Sequence, residues 1–241
     1  MGDPLVLCYH ALSPGWPAAL ATTVERFAAQ LEHLAGRGYQ GVTFTDAVER
    51  RPRRAVAVTF DDAFASVWRL ARPVLDGLGW PATVFVPTDF PGERRPLAWA
   101  GTEQWLRTPH RDELEPMGWE ELRALQAAGW EIGSHTCSHP RLTTLTDAEL
   151  DRELRVSRER GIEELGACAS IAYPYGDVDR RVVDAAAAAG YRAGAALPAV
   201  PHAARALEWP RVGVYHVDDL RRFRLKCSPL VRRLRRAASR G

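Results

Sequence analysis

Short apolar runs alternate with longer amphipathic stretches from one end of this chain to the other. The apolar runs predict strands at 5–10, 55–60, 82–87, 130–134, 170–175, 191–197 and 211–216. Between them, apolar residues recur at helical spacing near 23–36, 64–77, 119–128, 147–165 and 179–189. The fourth helix carries its own punctuation. Thr146-Asp147-Ala148-Glu149 reads as a capping box, and Gly166 as a C-terminal stop. Strands apolar on both faces, alternating with helices, indicate a parallel α/β sheet. Seven or so such units without a break in composition predict one barrel-like domain rather than a doubly wound sheet, whose glycine-rich dinucleotide fingerprint is missing.

Two segments depart from the rhythm. Residues 88–117 are rich in Pro, Gly, Arg and Trp and show no periodicity, so they read as a long loop, a feature that in compact domains is usually functional or disordered. Residues 220–241 hold nine basic residues and no acidic one, more charge than the net +2 of the whole chain. After Pro229, the residues Leu230, Val231 and Leu234 share a helical face ringed by Arg232, Arg233, Arg235 and Arg236. Such an end suits an anionic membrane surface; a solvated helix docking its leucines on the body is the alternative. No basic groove with interleaved aromatics exists, so nucleic acid is not an expected partner.

The chain has 241 residues, 46% of them hydrophobic, enough for a sizeable core without disulfides. No apolar run approaches the length of a membrane span. Cys8, Cys137, Cys168 and Cys227 are far apart and form no C-x-x-C pair, which argues against a disulfide framework or a cysteine-rich zinc site. The sole lysine is Lys226, which excludes a phosphate-binding P-loop and a core Schiff-base lysine. Leu5-Val6-Leu7-Cys8-Tyr9-His10 follows directly on Met-Gly-Asp-Pro, with neither basic n-region nor cleavage site, so the expected location is the cytoplasm.

Three motifs at strand ends carry candidate chemistry. Thr59-Phe60-Asp61-Asp62 closes an apolar strand, and two adjacent carboxylates there are costly unless partnered. Neighbouring strand residues face opposite ways, so both serve one site only if the backbone turns right after Asp61; otherwise one of them caps the next helix. Glu131 to Pro140 contains His135 and His139, four apart, in a stretch whose proline excludes a helix interior. Two imidazoles and one carboxylate leave an open position, as a catalytic zinc site requires; solvated loop histidines are the plainer reading. Ala172-Tyr173-Pro174-Tyr175-Gly176 combines a fixed φ with a flexible one and can aim a backbone N–H into a site, or simply turn.

In this order and spacing, the three motifs resemble the polysaccharide deacetylases (carbohydrate esterase family 4). The opening Tyr9-His10 is similar to the poly-N-acetylglucosamine deacetylase-like branch. The resemblance extends over almost the whole chain and implies a distorted (β/α) barrel over 1–219, with 220–241 as a basic amphipathic tail. It implies removal of acetyl groups from N-acetylated sugars with a divalent metal, zinc foremost and cobalt or manganese as alternatives. By position, Asp62, His135 and His139 would hold the metal, Asp61 would be the general base, and the Tyr175 backbone N–H would steady the oxyanion. The chain departs from the family where Ala172 replaces an arginine, and it lacks the aspartate-to-tryptophan motif. Val214-Tyr215-His216 only echoes the histidine that usually donates the proton. The general acid is therefore expected to be His10, with His216 as the second candidate, both at strand ends that adjoin in a closed barrel. Arg211 is expected to stand in for the missing arginine and orient Asp61.

The functional expectation is a metal-dependent N-deacetylase of an N-acetylhexosamine-containing glycan or glycoconjugate, cytoplasmic and membrane-associated through its tail. The rivals are hydrolysis of a non-sugar amide or O-acetyl ester on the same site, and an inactive glycan-binding barrel. Trp99, Trp105 and Trp119 are expected to pack rather than to bind sugar, and His33, His110 and His202 to have no role.

Overall fold

The computed structural model describes residues 3–93, 95–197 and 204–231. In chain order it contains β1 (Leu5–Tyr9), β2 (Ala11–Leu12), β3 (Ala21–Thr22), α1 (Val24–Ala35), β4 (Gln40–Val42), α2 (Phe44–Arg50) and β5 (Ala55–Phe60). These are followed by α3 (Arg72–Leu78), β6 (Thr83–Val86), α4 (Trp119–Ala127), β7 (Glu131–Ser134) and α5 (Asp147–Leu165). The chain continues with β8 (Ser170–Ala172), α6 (Arg180–Ala188), β9 (Ala193–Ala196), β10 (Trp209–Pro210), β11 (Val212–Gly213) and α7 (Leu220–Cys227). His202 and the tail from residue 232 onward, with Arg232, Arg233, Leu234, Arg235 and Arg236, lie outside the described residues. Among the described residues no helix is long and apolar enough to cross a membrane.

One parallel sheet runs β10-β9-β8-β7-β6-β5-β1-β11, with β4 added on β5. Its two ends, β10 and β11, are halves of a single run, Trp209 to Gly213, broken only at Arg211. Trp209 and Pro210 pair with β9, and Val212 and Gly213 pair with β1, so the sheet returns on itself as a nearly closed barrel. The path holds eight strands where the apolar runs predict about seven, because this last run is split.

Alternation along the strands divides the core into two shells. Leu5, Leu7, Tyr9, Val56, Val58, Phe60, Val84 and Val86 face outward and pack on Phe27, Leu31, Leu75 and Leu122 of the helices. Val6, Ala57, Phe85, Ala172, Ala193, Ala195 and Trp209 form a second cluster that fills the interior. The interior is crowded: a Cβ on Gly133 would meet Phe85 Cδ1 at 2.7 Å and Ser170 Oγ at 2.6 Å. By the same parity Cys8 and Thr59 point inward, and the barrel mouth above them is where inward residues meet solvent.

Local sequence explains most helix boundaries. Thr23, Thr43, Thr146, Asp179 and Asp219 each accept a hydrogen bond from the backbone N–H three residues on, capping α1, α2, α5, α6 and α7. The helix expected at 64–77 divides into a wide π-type turn at Val67–Ala71 and then α3, with Arg72 N–H reaching back to Val67 O. Pro73 lacks the N–H that would hold an α-helical turn there.

Several boundaries differ from the sequence expectation: β8 ends at Ala172 rather than 175, and β9 begins at Ala193 rather than 191. The last strand begins at Trp209 rather than 211 and ends at Gly213 rather than 216. The Asp218 carboxylate accepts from the Tyr215 N–H at 2.9 Å and turns the chain away from the ladder. The basic amphipathic helix starts before Pro229, as α7, and helical backbone resumes at residues 229–231. The short β4 and α2 carry too few residues to show a period and go unseen in the sequence.

Candidate active site

The three strand-end motifs converge on the C-terminal mouth of the barrel. β5 delivers Asp61 on its inward parity, and the chain then enters left-handed backbone at Asp62 (φ 71°) and Ala63 (φ 57°). That turn brings the second carboxylate, which strand alternation alone would send outward, to the same mouth as the first. Strain of this kind is concentrated here. Five of the seven non-glycine positive-φ residues among those described are Asp62, Ala63, Thr136, His139 and Tyr175.

Asp62, His135 and His139 form one tight cluster, all at most 5% exposed. Asp62 Oδ1 lies 3.4 Å from His135 Nε2 and 3.3 Å from His139 Nε2, yet has no hydrogen-bond partner. His135 Nδ1 is 2.8 Å from the Ala172 carbonyl, which can only accept, so Nδ1 carries the proton and Nε2 of the neutral ring offers a lone pair. A carboxylate oxygen facing this nitrogen and His139 Nε2 in a buried pocket, with no hydrogen-bond partner of its own, fits a cation at the centre. The electrostatics agree. Burial opposes charge on Asp62, but the two imidazoles hold its carboxyl far below the usual carboxylate range. Burial also opposes charge on His135, but Asp61 and Asp62 raise its pKa above the ordinary histidine value. The donor set therefore fits a divalent metal with two nitrogen and one oxygen ligands.

Asp61 is held differently. Arg211 Nη1 donates to Asp61 Oδ1 at 2.6 Å and Nη2 to Oδ2 at 2.7 Å, a bidentate pair with both side chains at most 5% exposed. Arg211 Nη1 also donates to Thr59 Oγ1 at 3.0 Å. Burial alone would raise the Asp61 pKa, but the guanidinium brings it down to about 2, so this carboxylate is ionised at any neutral pH. Arg211 reaches it from the gap between β10 and β11.

The mouth opens into a cleft of about 430 Å³. His10, Tyr175 and Tyr215 line it, with Leu20 from the β2–β3 connection and Trp99 from the 88–117 segment. The described residues of that long segment pack against the body. Phe90, Leu97 and Leu114 pack with Trp16 and Phe64, and the Thr88 and Asp89 N–H groups bond the Thr136 and Cys137 carbonyls. Trp99 stacks on His139 with ring centroids 4.1 Å apart, and Tyr175 meets the same imidazole edge-on at 4.7 Å. Trp105 packs against Trp16 and Trp119 enters the core, so only Trp99 presents itself to the cleft.

Tyr175 sits at φ 60°, and among the described residues its backbone N–H has no acceptor. Gly176 next to it is also left-handed, at φ 69°, and a Cβ there would lie 2.7 Å from the Leu197 carbonyl oxygen. Of the two histidines considered for the general acid, only His10 lines the cleft; its ring stacks on Tyr215, and its Nδ1 is buried without a partner. His216 is not among the residues lining the cleft. It lies three residues beyond the last strand, where its N–H donates to Ala19 O and its carbonyl accepts from Arg26.

Sequence reasoning missed Glu153. This α5 residue, 6% exposed, accepts from the Cys137 N–H (2.9 Å), the Ser138 N–H (3.0 Å) and the Ser138 hydroxyl (2.9 Å), clamping the loop between the two histidines. The only cue in the sequence is a charged residue on the apolar stripe beside Leu150 and Leu154. Glu153→Ala is expected to lower metal affinity by about 10–100-fold while leaving Asp62 and both imidazoles in the sequence. Isothermal titration with zinc measures it, and an unchanged affinity would remove the clamp from this role.

The comparisons with known proteins agree with this geometry. The structure superposes on the Streptococcus pyogenes deacetylase PplD in complex with acetate at a TM-score of 0.76, with 19% identity, covering 94% of this chain and 98% of that one. It superposes on IcaB from Ammonifex degensii at 0.72 and 24% identity, again over 94% and 98%. For BC0361, a polysaccharide deacetylase from Bacillus cereus, the values are 0.75 and 22%, over 94% and 69%. At these identities the likeness is one of fold. YxkH of Bacillus subtilis (strain 168), which carries a polysaccharide deacetylase name, is 27% identical over 196 residues. That alignment covers 78% of this chain and 62% of YxkH. Residues 49–194, from the end of α2 through the aspartate pair and both histidines to β9, match the family model for polysaccharide deacetylase. With that match over more than half of its length, the chain belongs to the polysaccharide deacetylase family.

Proposed function

We propose that this protein is a metal-dependent hydrolase that removes N-acetyl groups from an N-acetylhexosamine-containing glycan or glycoconjugate. The observation that carries the reading is the division of labour between two adjacent carboxylates. Asp62 faces His135 and His139 in a cation-seeking cluster, while Asp61 is kept apart, ionised and fixed in direction by Arg211. A pure binding barrel has no use for that second, oriented carboxylate.

Asp62, His135 and His139 would hold the ion. A divalent ion held there, zinc, cobalt or manganese, would supply Lewis-acid polarisation of the acetyl carbonyl and lower the pKa of the attacking water. Asp61 takes the proton from the attacking water, a transfer that its ionised state at neutral pH permits. The Tyr175 N–H donates to the carbonyl oxygen as it gains charge. Expelling a sugar amine needs a proton donor, and His10 lines the cleft beside Asp61, stacked on Tyr215. Trp99 gives the cleft an aromatic wall.

Arg141 bears on the substrate. It lines the cleft with its guanidinium 4.3 Å over the Tyr175 ring, and among the described residues it pairs with no carboxylate. An unneutralised guanidinium at the rim supports a sugar that carries an anionic group, such as a phosphate-linked precursor.

The test is metal content per chain by elemental mass spectrometry, with acetate release from neutral and phosphate-bearing N-acetyl sugars. Wild type is expected to hold one ion and release acetate, and Asp62→Ala to lose both. Arg141→Ala is expected to raise KM for the phosphate-bearing substrate alone. Absence of metal after reconstitution with zinc, cobalt or manganese, together with no acetate release, would favour the glycan-binding barrel instead.

A further inference from the structure

A second group of ligating atoms lies on the inner wall of the barrel, and the mechanism above leaves one member of it unused. Cys8 is fully buried in β1, with Sγ 3.4 Å from Asp61 Oδ2. Strand register explains the meeting. Cys8 pairs with Thr59 across the β1–β5 ladder, so the next inward residue on each chain, His10 and Asp61, comes to the same layer of the mouth. One ligand atom from each of Cys8, His10 and Asp61 lies within 4.8 Å of the other two. His10 adds an independent observation, since its Nδ1 is buried with no hydrogen-bond partner.

We propose that Cys8, His10 and Asp61 form a second metal site, weaker than the Asp62–His135–His139 site and selective for thiophilic divalent ions, and that its occupation shuts the enzyme off. The ligand set is one sulfur, one nitrogen and one oxygen, with the cleft left to supply solvent as a fourth partner. Asp61 Oδ1 accepts from Arg211 and keeps a further lone pair for an ion; Oδ2 accepts from Arg211 and from the Cys8 thiol, and regains its second lone pair when the thiol proton leaves. Binding replaces the thiol proton: Cys8–SH and M²⁺ give Cys8–S–M⁺ and a proton released to solvent. The Arg211 guanidinium, in contact with the same carboxylate, repels a cation here, which makes this site the weaker of the two. Sulfur ligation favours zinc or cadmium over magnesium or manganese. The shut-off rests on the function proposed above, because the ion engages the lone pairs with which Asp61 accepts a proton and His10 handles one. The binding itself does not rest on that function.

Cobalt distinguishes the two sites, since only the second contains sulfur. Metal-depleted protein is titrated with Co²⁺ while the near-ultraviolet thiolate-to-cobalt charge-transfer band is recorded. Wild type is expected to bind a first equivalent without the band and a second, weaker one with it. Cys8→Ser and Cys8→Ala are expected to keep the first equivalent, which also reports that they are folded, and to lose the band with the second. In parallel, the ratio of acetate release in excess zinc to that at one equivalent is expected to fall below one in wild type. That loss should be absent with excess manganese and relieved in both Cys8 variants. A single equivalent in wild type with no charge-transfer band, or a band that survives in both variants, overturns the proposal. A Cys8-dependent band in a protein that releases no acetate from any sugar keeps the second site and overturns the deacetylase reading.

Discussion

Asp61→Asn is expected to lose about 10²–10⁴-fold in turnover while keeping its metal. The loss follows from removing the proton acceptor alone, since Asp62, His135 and His139 supply the cation cluster without it. The same substitution has a structural consequence. Arg211 is buried at 1% side-chain exposure and donates two hydrogen bonds to Asp61. An amide in that position accepts one of them and sets its own NH₂ against the other nitrogen. The variant is therefore expected to lose about 3–5 kcal/mol of stability as well, the usual result of leaving one member of a buried ion pair uncompensated. Turnover and metal content must be compared at a temperature where circular dichroism shows both proteins folded. Turnover within tenfold of wild type, with metal bound, would exclude Asp61 as the base.

Arg211→Met removes the other half of the pair and is expected to destabilise the fold by a similar amount, about 3–5 kcal/mol at pH 7. The pH dependence identifies the cause. Asp61 has a folded pKa of about 2, depressed from the ordinary carboxylate value. The stability it contributes is fully present above that ordinary value and is lost as pH falls through about 2. The gap between wild type and Arg211→Met in denaturant titrations should therefore be full at neutral pH and narrow in strong acid. Without the guanidinium, burial dominates and the Asp61 pKa rises, so the acid limb of kcat/KM should move to higher pH. A reduced kcat with little change in KM accompanies the shift, because Arg211 directs the base and does not touch the substrate. Equal unfolding free energies at pH 7, or an unmoved acid limb, would show that Arg211 is not what orients and ionises Asp61.

These two variants also test a pairing that no short motif contains. Arg211 reaches Asp61 across 150 residues of chain, from the gap in a split strand, and no local spacing connects them. The chain has no arginine at the position where the related family places one, and Arg211, at the start of the predicted last strand, is the expected stand-in. Closure of the barrel through β10 and β11 brings the replacement in.

Glu153 is a similar case. The helix that carries it is legible to the residue from its capping box and terminal glycine, and α5 spans Asp147–Leu165 as expected. Which of its many charged residues turns inward depends on how α5 lies against the histidine loop, a matter of packing rather than of helical period. His10 is the favoured and His216 the second of two histidines expected at adjoining strand ends. They separate in the structure because the chain leaves β1 after Val214, where the Asp218 carboxylate accepts from the Tyr215 N–H, and His216 is not among the residues lining the cleft.

What the chain determined by itself was local and periodic. Apolar runs and amphipathic stretches specify most strands and the longer helices, because burying one face at a period of two or 3.6 residues needs no knowledge of the partner. The residue types that ligate a metal and move a proton are also visible in short motifs, since their chemistry is intrinsic. Tertiary structure alone decided their directions: the left-handed turn that brings Asp62 beside His135 and His139, the guanidinium locked on Asp61, the thiol of Cys8 beneath them, and the tryptophan stacked on His139. Each of these depends on strand register and barrel closure, where one residue of offset reverses the face a side chain points to. Contacts between segments far apart in the chain set those quantities, and no window along the sequence contains them.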